Sequence, residues 1–268
     1  MARANRHYLP GCVWHITHRC HKKEFLLKLT KDCRRWLQWL FVAKGRYDLV
    51  ILDYMVTSNH IHLLVFDQAG RDVIPRSIQL VAGKTGQEYN GRKHGKGAFR
   101  EDRYHATAVE SGEHLRQCVV YIDLNMVRAG AVEHPSQWPF GGYNEIQHPR
   151  RKCRIIAYDQ LKDLLGFSAY EDLKAAHRLW VEEAIRCGPR SRDIKWTGSI
   201  AVGGRGFVED VRARLGIRSK GRRIAEGEDG CELREPETGY NLLSGLENED
   251  IGVENAYFWE NSLPISET

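Results

Sequence analysis

Two histidines separated by one residue, His60 and His62, are the first candidates for chemistry in this sequence. They fall in residues 60–66, whose apolar and β-branched character predicts a buried strand. Side chains at positions i and i+2 of a strand project from the same face, with Cα atoms about 7 Å apart, so the two imidazoles can converge on one divalent cation. Two ligands do not complete a metal site, and the alternative is a pair of hydrogen-bonded, half-buried side chains.

A tyrosine and an asparagine four residues apart, Tyr121 and Asn125, are the second candidates. The apolar residues around Tyr121 predict a helix, and positions i and i+4 of a helix lie on one face. One interpretation makes Tyr121 a core residue whose hydroxyl is hydrogen-bonded. The other makes its phenol a nucleophile. Because the ordinary pKa of tyrosine is about 10, such a nucleophile needs a polarised electrophile, a nearby base, or both.

The elements that must position these residues alternate along the first half of the chain. Strands are predicted at 13–17, 47–55, 60–66 and 104–109, and helices at 30–45, 73–90 and 112–128. This order predicts an α+β fold, a ferredoxin-like split βαβ antiparallel sheet with helices on one face. The last of these helices carries Tyr121 and is additional to the ferredoxin-like pattern.

The rest of the chain predicts a C-terminal α/β extension. Helices are expected at 158–165, 170–185 and 207–215, and a small hairpin at 222–225 and 231–234. We therefore divide the 268 residues into three parts: 1–145 with the candidate residues, a helical extension 146–190, and a small C-terminal region 191–268 that is acidic after 224.

Composition excludes several protein classes. Hydrophobic residues make up 42% and charged residues 28%, which is typical of a globular chain and not of disordered, collagen-like or coiled-coil proteins. The seven cysteines form no CxxC pair, so neither a disulfide framework nor a zinc ribbon is indicated. The N-terminus lacks the apolar segment of a signal peptide, and no apolar run approaches the roughly 20 residues that cross a bilayer. We expect a cytoplasmic protein.

Charge is distributed unevenly along the chain. Residues 1–100 carry 18 basic and 7 acidic side chains, whereas the residues from 224 onward carry 1 basic and 12 acidic side chains. The formal net charge of +5 is therefore the balance of a basic first part and an acidic end. A basic surface of this kind favours a nucleic-acid partner.

Four motifs in order resemble those of one family. Residues 59–65, Asn-His-Ile-His-Leu-Leu-Val, resemble the histidine-hydrophobic-histidine (HUH) motif. Residues 121–130 resemble the tyrosine helix of single-tyrosine HUH transposases, especially REP-associated tyrosine transposases. Residues 14–19 are similar to the first strand of that family, and 89–104 to the segment before its tyrosine helix. Ser58 and Met126 stand where the family often has proline, but neither position supplies a ligand or a nucleophile.

The resemblance implies a DNA transposase domain in residues 1–145. By this resemblance His60, His62 and Asn125 would hold a divalent metal, Mg²⁺ or Mn²⁺, and Tyr121 would attack a scissile phosphate. The product would be a 5′-phosphotyrosine link and a free 3′-hydroxyl, and the 3′-hydroxyl of another strand could reverse the step. The implied function is cleavage and rejoining of single-stranded DNA at hairpin palindromes, in a bacterial cytoplasm and at the nucleoid.

Basic and aromatic side chains are candidates for DNA contacts. The basic candidates are Arg19, Arg92, Lys93, Lys96, Arg100, Arg103 and Arg128. The aromatic residues Trp14, Tyr89, Phe99 and Tyr104 either stack on unpaired bases or belong to the core.

Two other functions remain open at this point. One is a catalytically silent protein that binds DNA hairpins as a regulator, and the other is an HUH replication-initiator nickase. The single candidate tyrosine and the absence of a helicase region make the nickase less favoured, and intact Tyr121, His60 and His62 favour catalysis. Both a monomer and a homodimer are compatible with the sequence, with the tyrosine used within one chain or exchanged between chains.

Overall fold

The computed structural model describes residues 9–21, 25–68, 72–94, 99, 104–188, 192–227 and 229–235. Its strands are β1 (Val13–Arg19), β2 (Val50–Val56), β3 (His60–Phe66), β4 (His105–Val109), β5 (Ala201–Gly203), β6 (Arg223–Gly227) and β7 (Gly230–Arg234). These strands join in one sheet with the order β2-β3-β1-β4-β5-β7-β6. The fold class is α+β, as the sequence predicts.

The helices surround this sheet. They are α1 (Thr30–Tyr47), α2 (Val73–Lys93), α3 (Glu113–Asp123), α4 (Asn125–Arg128), α5 (Tyr143–Gln147), α6 (Tyr158–Leu164), α7 (Tyr170–Arg186), α8 (Lys195–Gly198) and α9 (Arg205–Leu215). The helix predicted at 112–128 is divided at Leu124 into α3 and α4. In the described part of the chain, no helix has both the length and the hydropathy that a membrane span requires.

The first four strands form the predicted ferredoxin-like sheet. Strand β3 pairs antiparallel with both β1 and β2, and β1 pairs antiparallel with β4. Helix α1 connects β1 to β2, and α2 connects β3 to β4, so two split βαβ units interlock. Right-handed crossovers place α1 and α2 on the same face, where they pack along each other.

Both faces of this sheet are covered, whereas the sequence predicted helices on one face. Ile16 and Leu63 on one face and His15 and His62 on the other are all almost completely buried. The second face is covered because the chain turns at Gly112 (φ 75°) after β4 and runs back as α3. The candidate histidines are therefore enclosed between the sheet and the helix that carries Tyr121.

The C-terminal region extends the same sheet. Strand β5 pairs parallel with β4, with Ala201 opposite Ala108, and the β6–β7 hairpin joins the sheet through β7. The hairpin is close to its predicted position, but β5 was not predicted. A strand of three residues, Ala-Val-Gly, is too short to show an alternating pattern.

Helix α2 is longer than predicted and contains three glycines, Gly83, Gly86 and Gly91. It continues to Lys93 and ends at His94, which has a left-handed backbone (φ 50°). A side chain at Gly86 would place a Cβ atom 3.0 Å from Cβ of Phe99. Glycine at this position therefore permits close packing of the helix against Phe99.

Candidate active site

Strand β3 presents His60 and His62 on the same face, as predicted. The centroids of their rings lie 5.0 Å apart, with the ring planes nearly perpendicular. His62 is buried, with 2% of its surface exposed, and His60 is half-buried at the start of the strand. The neighbouring strand β1 places Arg19 opposite His60 and Thr17 opposite His62. The two imidazoles are thus held at a fixed separation by the sheet register.

The ring of His60 is oriented by the turn before β3. Its Nδ1 lies 2.6 Å from Oδ1 of Asn59 and 3.1 Å from the hydroxyl of Thr57. Because an amide oxygen can only accept a hydrogen bond, Nδ1 of His60 donates to Asn59. The neutral ring then carries its lone pair on Nε2, which is the form that binds a metal.

The ring of His62 is held by a chain of hydrogen bonds that leads to the C-terminal region. Its Nδ1 lies 2.8 Å from Nε2 of His15 on β1. Nδ1 of His15 in turn lies 2.8 Å from the backbone oxygen of Trp196 in α8. The rings of His15 and His62 are nearly parallel, with planes 8° apart.

Burial keeps both of these histidines neutral. Desolvation lowers the pKa of His15 to about 3, an effect that the hydrogen bond to Trp196 only partly opposes. Desolvation also holds the pKa of His62 well below its ordinary value, and the neighbouring His60 and His15 lower it further. Neutral imidazole is the state in which histidine ligates metals.

Asn125 lies next to the other ring nitrogen of His62, Nε2. Its Nδ2 lies 3.1 Å from Nε2 of His62, so Asn125 donates to the lone pair of that ring. The two ends of an amide are exchanged when the group turns over, which brings Oδ1 to the same place. Asn125 is the first residue of α4, directly after the break at Leu124, and it stays four residues beyond Tyr121.

The ring of Tyr121 packs beside the same histidines. Its centroid lies 5.9 Å from that of His62, 6.2 Å from that of His15 and 6.1 Å from that of Trp196. The guanidinium carbon of Arg128 lies 4.1 Å from the centroid of the Tyr121 ring, a cation–π contact, and Arg128 also donates to the backbone oxygen of Tyr121.

The electrostatics of Tyr121 keep its phenol protonated at neutral pH. Burial raises the pKa of Tyr121 above its ordinary value, and the positive charges of Arg128 and Arg192 only partly oppose this. The side chain is 8% exposed. Nucleophilic attack by Tyr121 thus requires removal of the phenolic proton and access for the electrophile.

The donor atoms of this site fit a divalent cation. Nε2 of His60 and Nε2 of His62 both carry lone pairs, and Asn125 can turn its amide oxygen toward them. Two imidazoles and one amide form a mixed set that accepts Mn²⁺ and, less selectively, other borderline metals. Within the described ranges, no group of three or more His, Cys, Asp or Glu side chains has a metal-binding arrangement.

The predicted DNA-contacting residues fall in three places. Arg19 and Arg128 lie at the site, next to His60 and Tyr121 respectively. Arg92 and Lys93 lie at the end of α2, where Arg92 forms an ion pair with Asp32 of α1 at 2.6 Å. The remaining candidates, Lys96, Arg100 and Arg103, lie outside the described residues.

Three of the four aromatic residues considered for base stacking belong to the core, and the fourth, Tyr89, is half-buried. Trp14, Phe99 and Tyr104 are all buried, and the Tyr89 ring packs 5.0 Å from the Phe99 ring. Trp14 lies on the central strand β1, where helices cover both faces of the sheet. The sequence alone does not show this burial, because an aromatic residue in a basic stretch of sequence is as typical of a nucleic-acid-binding surface as of a core.

Two residues of the site were not assigned a role from sequence. His15 belongs to the motif at 14–19, and the alternation of His15, Thr17 and Arg19 along β1 could have placed it on the face of His62. Trp196 contributes a backbone oxygen, which leaves no signal in the sequence. It also lies 181 positions from His15, so only the tertiary structure brings them together.

Comparisons with known proteins found several solved structures of similar chains, among them the following two. The first is a REP-associated tyrosine transposase bound to a REP hairpin, 20% identical, with a TM-score of 0.46, covering 54% of this chain and 84% of that one. The second is a proposed transposase from Deinococcus radiodurans, 16% identical, with a TM-score of 0.32, covering 44% of this chain and 92% of that one. No family model and no curated protein matches the chain. At these identities and TM-scores, neither structure decides what this chain does.

Proposed function

We propose that this chain is a metal-dependent transposase that cleaves and rejoins single-stranded DNA at hairpins through a 5′-phosphotyrosine intermediate on Tyr121. One observation carries the proposal. His62 lies 3.1 Å from Asn125 and packs beside the Tyr121 ring, while His60 is its neighbour on β3. Two motifs about 60 positions apart in the sequence thus bring together a tyrosine, which is the proposed nucleophile, and two imidazoles and an amide, which are side-chain types that bind metals.

The proposed reaction exchanges one phosphodiester for another. The phenolic oxygen of Tyr121 attacks the scissile phosphorus, a bond from phosphorus to the tyrosine oxygen forms, and the bond to the 3′-oxygen breaks. The phenolic proton is lost to solvent or a nearby base, and the departing 3′-oxygen gains one to become a hydroxyl. Attack by the 3′-hydroxyl of a second strand reverses these changes and joins the strands, so no nucleotide cofactor is consumed.

The side chains of the site divide this task. His60, His62 and Asn125 would hold the cation, and a bound cation would supply Lewis-acid polarisation of the phosphate. Arg128 holds the Tyr121 ring in place and contributes the positive charge that favours phenolate. The half-buried Arg19, opposite His60, lies where a phosphate backbone would enter.

The proposed DNA substrate follows from charge and from the family resemblance. The basic first 100 residues favour a polyanion, and the resemblance of 59–65 and 121–130 to REP-associated tyrosine transposases favours a single-stranded hairpin. The neighbour bound to a REP hairpin suggests such a hairpin as the first DNA to try. The chain would act on it as a monomer or a homodimer.

The test is the formation of a covalent protein–DNA adduct. The full chain is incubated with Mn²⁺ and labelled single-stranded hairpin DNA, and the products are separated under denaturing conditions. We expect an adduct that is lost in Tyr121→Phe and in His62→Ala. Tyr143→Phe is the matched control, because it removes the hydroxyl of another buried tyrosine and should leave the adduct intact.

A hairpin-binding regulator is the second candidate, and one observation favours it. Tyr121 is enclosed by His15, His62, Trp196 and Arg128, and a silent protein would have no need to expose it. Tight hairpin binding with no adduct on any of several hairpins would support the regulator. An adduct that never transfers to the 3′-hydroxyl of a second strand would favour a replication-initiator nickase.

A further inference from the structure

We propose that His15 is a positioning residue that fixes the tautomer of His62, and that the C-terminal region completes the site by holding His15 through the backbone oxygen of Trp196. The inference rests on the proposed function in one respect, since it takes His62 to be a metal ligand. It assigns a role in the site to residues 192–235, which lie outside the part of the chain that resembles the transposase family.

The first step concerns the hydrogen bond between His15 and Trp196. A backbone carbonyl oxygen has no hydrogen and can only accept. Nδ1 of His15, which lies 2.8 Å from this oxygen, must therefore carry a hydrogen and donate. In a neutral imidazole with a hydrogen on Nδ1, Nε2 is an acceptor.

The second step concerns the hydrogen bond between His15 and His62. Nε2 of His15 lies 2.8 Å from Nδ1 of His62, and since the first atom accepts, the second must donate. The lone pair of His62 is then on Nε2, the atom that faces Asn125. In this tautomer Nε2 of His62 can accept from Nδ2 of Asn125, which lies 3.1 Å away in the amide orientation of the structure.

The third step is that the Trp196 oxygen is itself held in place. The hydroxyl of Thr107 on β4 donates to the backbone oxygen of Ser199 at 2.7 Å, and it lies 3.3 Å from that of Trp196. The backbone N–H of Ala108 donates to Ile200, just before β5 pairs with β4. Residues 196–200, which include the backbone oxygen that holds His15, are thus anchored to β4 by both side-chain and backbone hydrogen bonds.

Outer-sphere partners of this kind matter because they orient a ligand and select its tautomer. Loss of such a partner generally weakens metal binding about 10-fold to 100-fold. Here the partner is a neutral histidine, so His62 remains an uncharged ligand. The alternative tautomer of His62 would direct an N–H toward the cation.

Two amide variants of His15 separate its two hydrogen bonds. In His15→Asn, the amide nitrogen stands near the former Nδ1 and can still donate to Trp196, but nothing reaches His62. In His15→Gln, the longer side chain can place an oxygen near the former Nε2 and accept from His62. His114→Asn is the control, because Nε2 of His114 also lies 2.9 Å from a backbone oxygen of the C-terminal region, that of Asp229, and His114 belongs to the first turn of α3, about two turns before Tyr121.

The first measurement reads the tautomer of His62 without metal or DNA. Long-range ¹H–¹⁵N spectra of the ¹⁵N-histidine-labelled full chain should show His62 protonated on Nδ1 in the wild type, in His15→Gln and in His114→Asn. His15→Asn should show a mixture or the Nε2-protonated form. The inference is overturned if folded His15→Asn keeps the wild-type tautomer, or if wild-type His62 is protonated on Nε2.

The second measurement is the affinity for Mn²⁺ alone, by calorimetric titration. We expect a dissociation constant about 10-fold to 100-fold higher in His15→Asn and within about 3-fold of wild type in His15→Gln and His114→Asn. Equal weakening in Asn and Gln variants would show a merely structural role and overturn the inference. If the tautomer changes as expected but no Tyr121 adduct ever forms, the proposed function fails while this inference stands.

Discussion

Two buried histidines of this protein, His62 in the site and His177 on α7, are buried to nearly the same degree but have different partners. His177 donates from Nε2 to the Asp123 carboxylate at 2.7 Å and accepts at Nδ1 from the Gln147 amide at 2.8 Å. His62 is bonded by His15 and Asn125, which are both neutral. Each ring nitrogen of both histidines therefore has a partner.

The two histidines differ in whether a hydrogen-bond partner of the ring can be exchanged for a metal ion. The carboxylate of Asp123 is buried, and burial raises its pKa while the bond to His177 opposes this shift. Leaving the buried Asp123 carboxylate without its hydrogen-bond partner would cost free energy of folding. His177 therefore stays bound to Asp123 and is not free to bind a metal. Asn125, in contrast, can turn its amide so that Nε2 of His62 and Oδ1 of Asn125 are both offered to a cation, as the proposed function requires. The nature of the partner, more than burial, separates a histidine of the core from a candidate ligand.

The largest expected effect comes from breaking the core pair. His177→Leu leaves the Asp123 carboxylate buried without its partner, and we expect the free energy of unfolding to fall by about 3 kcal/mol. Urea unfolding measures this change. Mn²⁺ affinity of the folded variant should stay at the wild-type value, and a large loss of Mn²⁺ binding would contradict the distinction between the two histidines.

A second variant controls for the lost packing of His177. In Asp123→Asn combined with His177→Leu, no carboxylate is left without a partner, so part of the lost stability should return. If the double variant is no more stable than His177→Leu, the unpaired carboxylate of Asp123 is not the source of the effect.

An intermediate effect is expected from Asn59, which orients His60, the other proposed metal ligand. Asn59→Ala removes the oxygen that accepts from Nδ1 of His60, and we expect the Mn²⁺ dissociation constant to rise about 10-fold, with little change in stability. Asn59→Asp keeps an oxygen at this position and should bind Mn²⁺ at least as well as wild type. An Asn59→Ala protein with unchanged Mn²⁺ affinity would show that His60 needs no orienting partner.

The smallest effect is expected at the charged residue of the site. Arg128 lies over the Tyr121 ring and donates to its backbone oxygen, so Arg128→Met should lower the free energy of unfolding by about 1 kcal/mol. The rate of adduct formation should fall as well, and Arg128→Lys should retain part of both. A loss of stability as large as that of His177→Leu would mean that Arg128, too, belongs mainly to the core.

Much of the site could be predicted because its signals are local. The HxH pattern on a strand and the i, i+4 spacing of Tyr121 and Asn125 each depend on a few neighbouring residues, and the structure brings both pairs together. The ferredoxin-like order of the first four strands was also predictable, since each has a turn signal and an apolar run.

The features that could not be predicted depend on contacts between residues far apart in the sequence. Nothing near His15 indicates that it binds the backbone of Trp196, and nothing near Arg92 indicates its ion pair with Asp32 of α1. The burial of Trp14 and Tyr104 follows from the packing of helices on both faces, which the sequence pattern did not show.

The parallel pairing of β5 with β4 also bears on assembly. Exposed edge strands are the places where two sheets can join into one. Here β4 is paired along both of its sides, by β1 and by β5, and the outer strand β2 is met by isolated bridges to Ile156 and Gly141. Two copies of this chain therefore cannot merge their sheets through β4. Within the described residues, β6 is the terminal strand at the other end of the sheet, and it is an edge at which the sheet of a second copy could add.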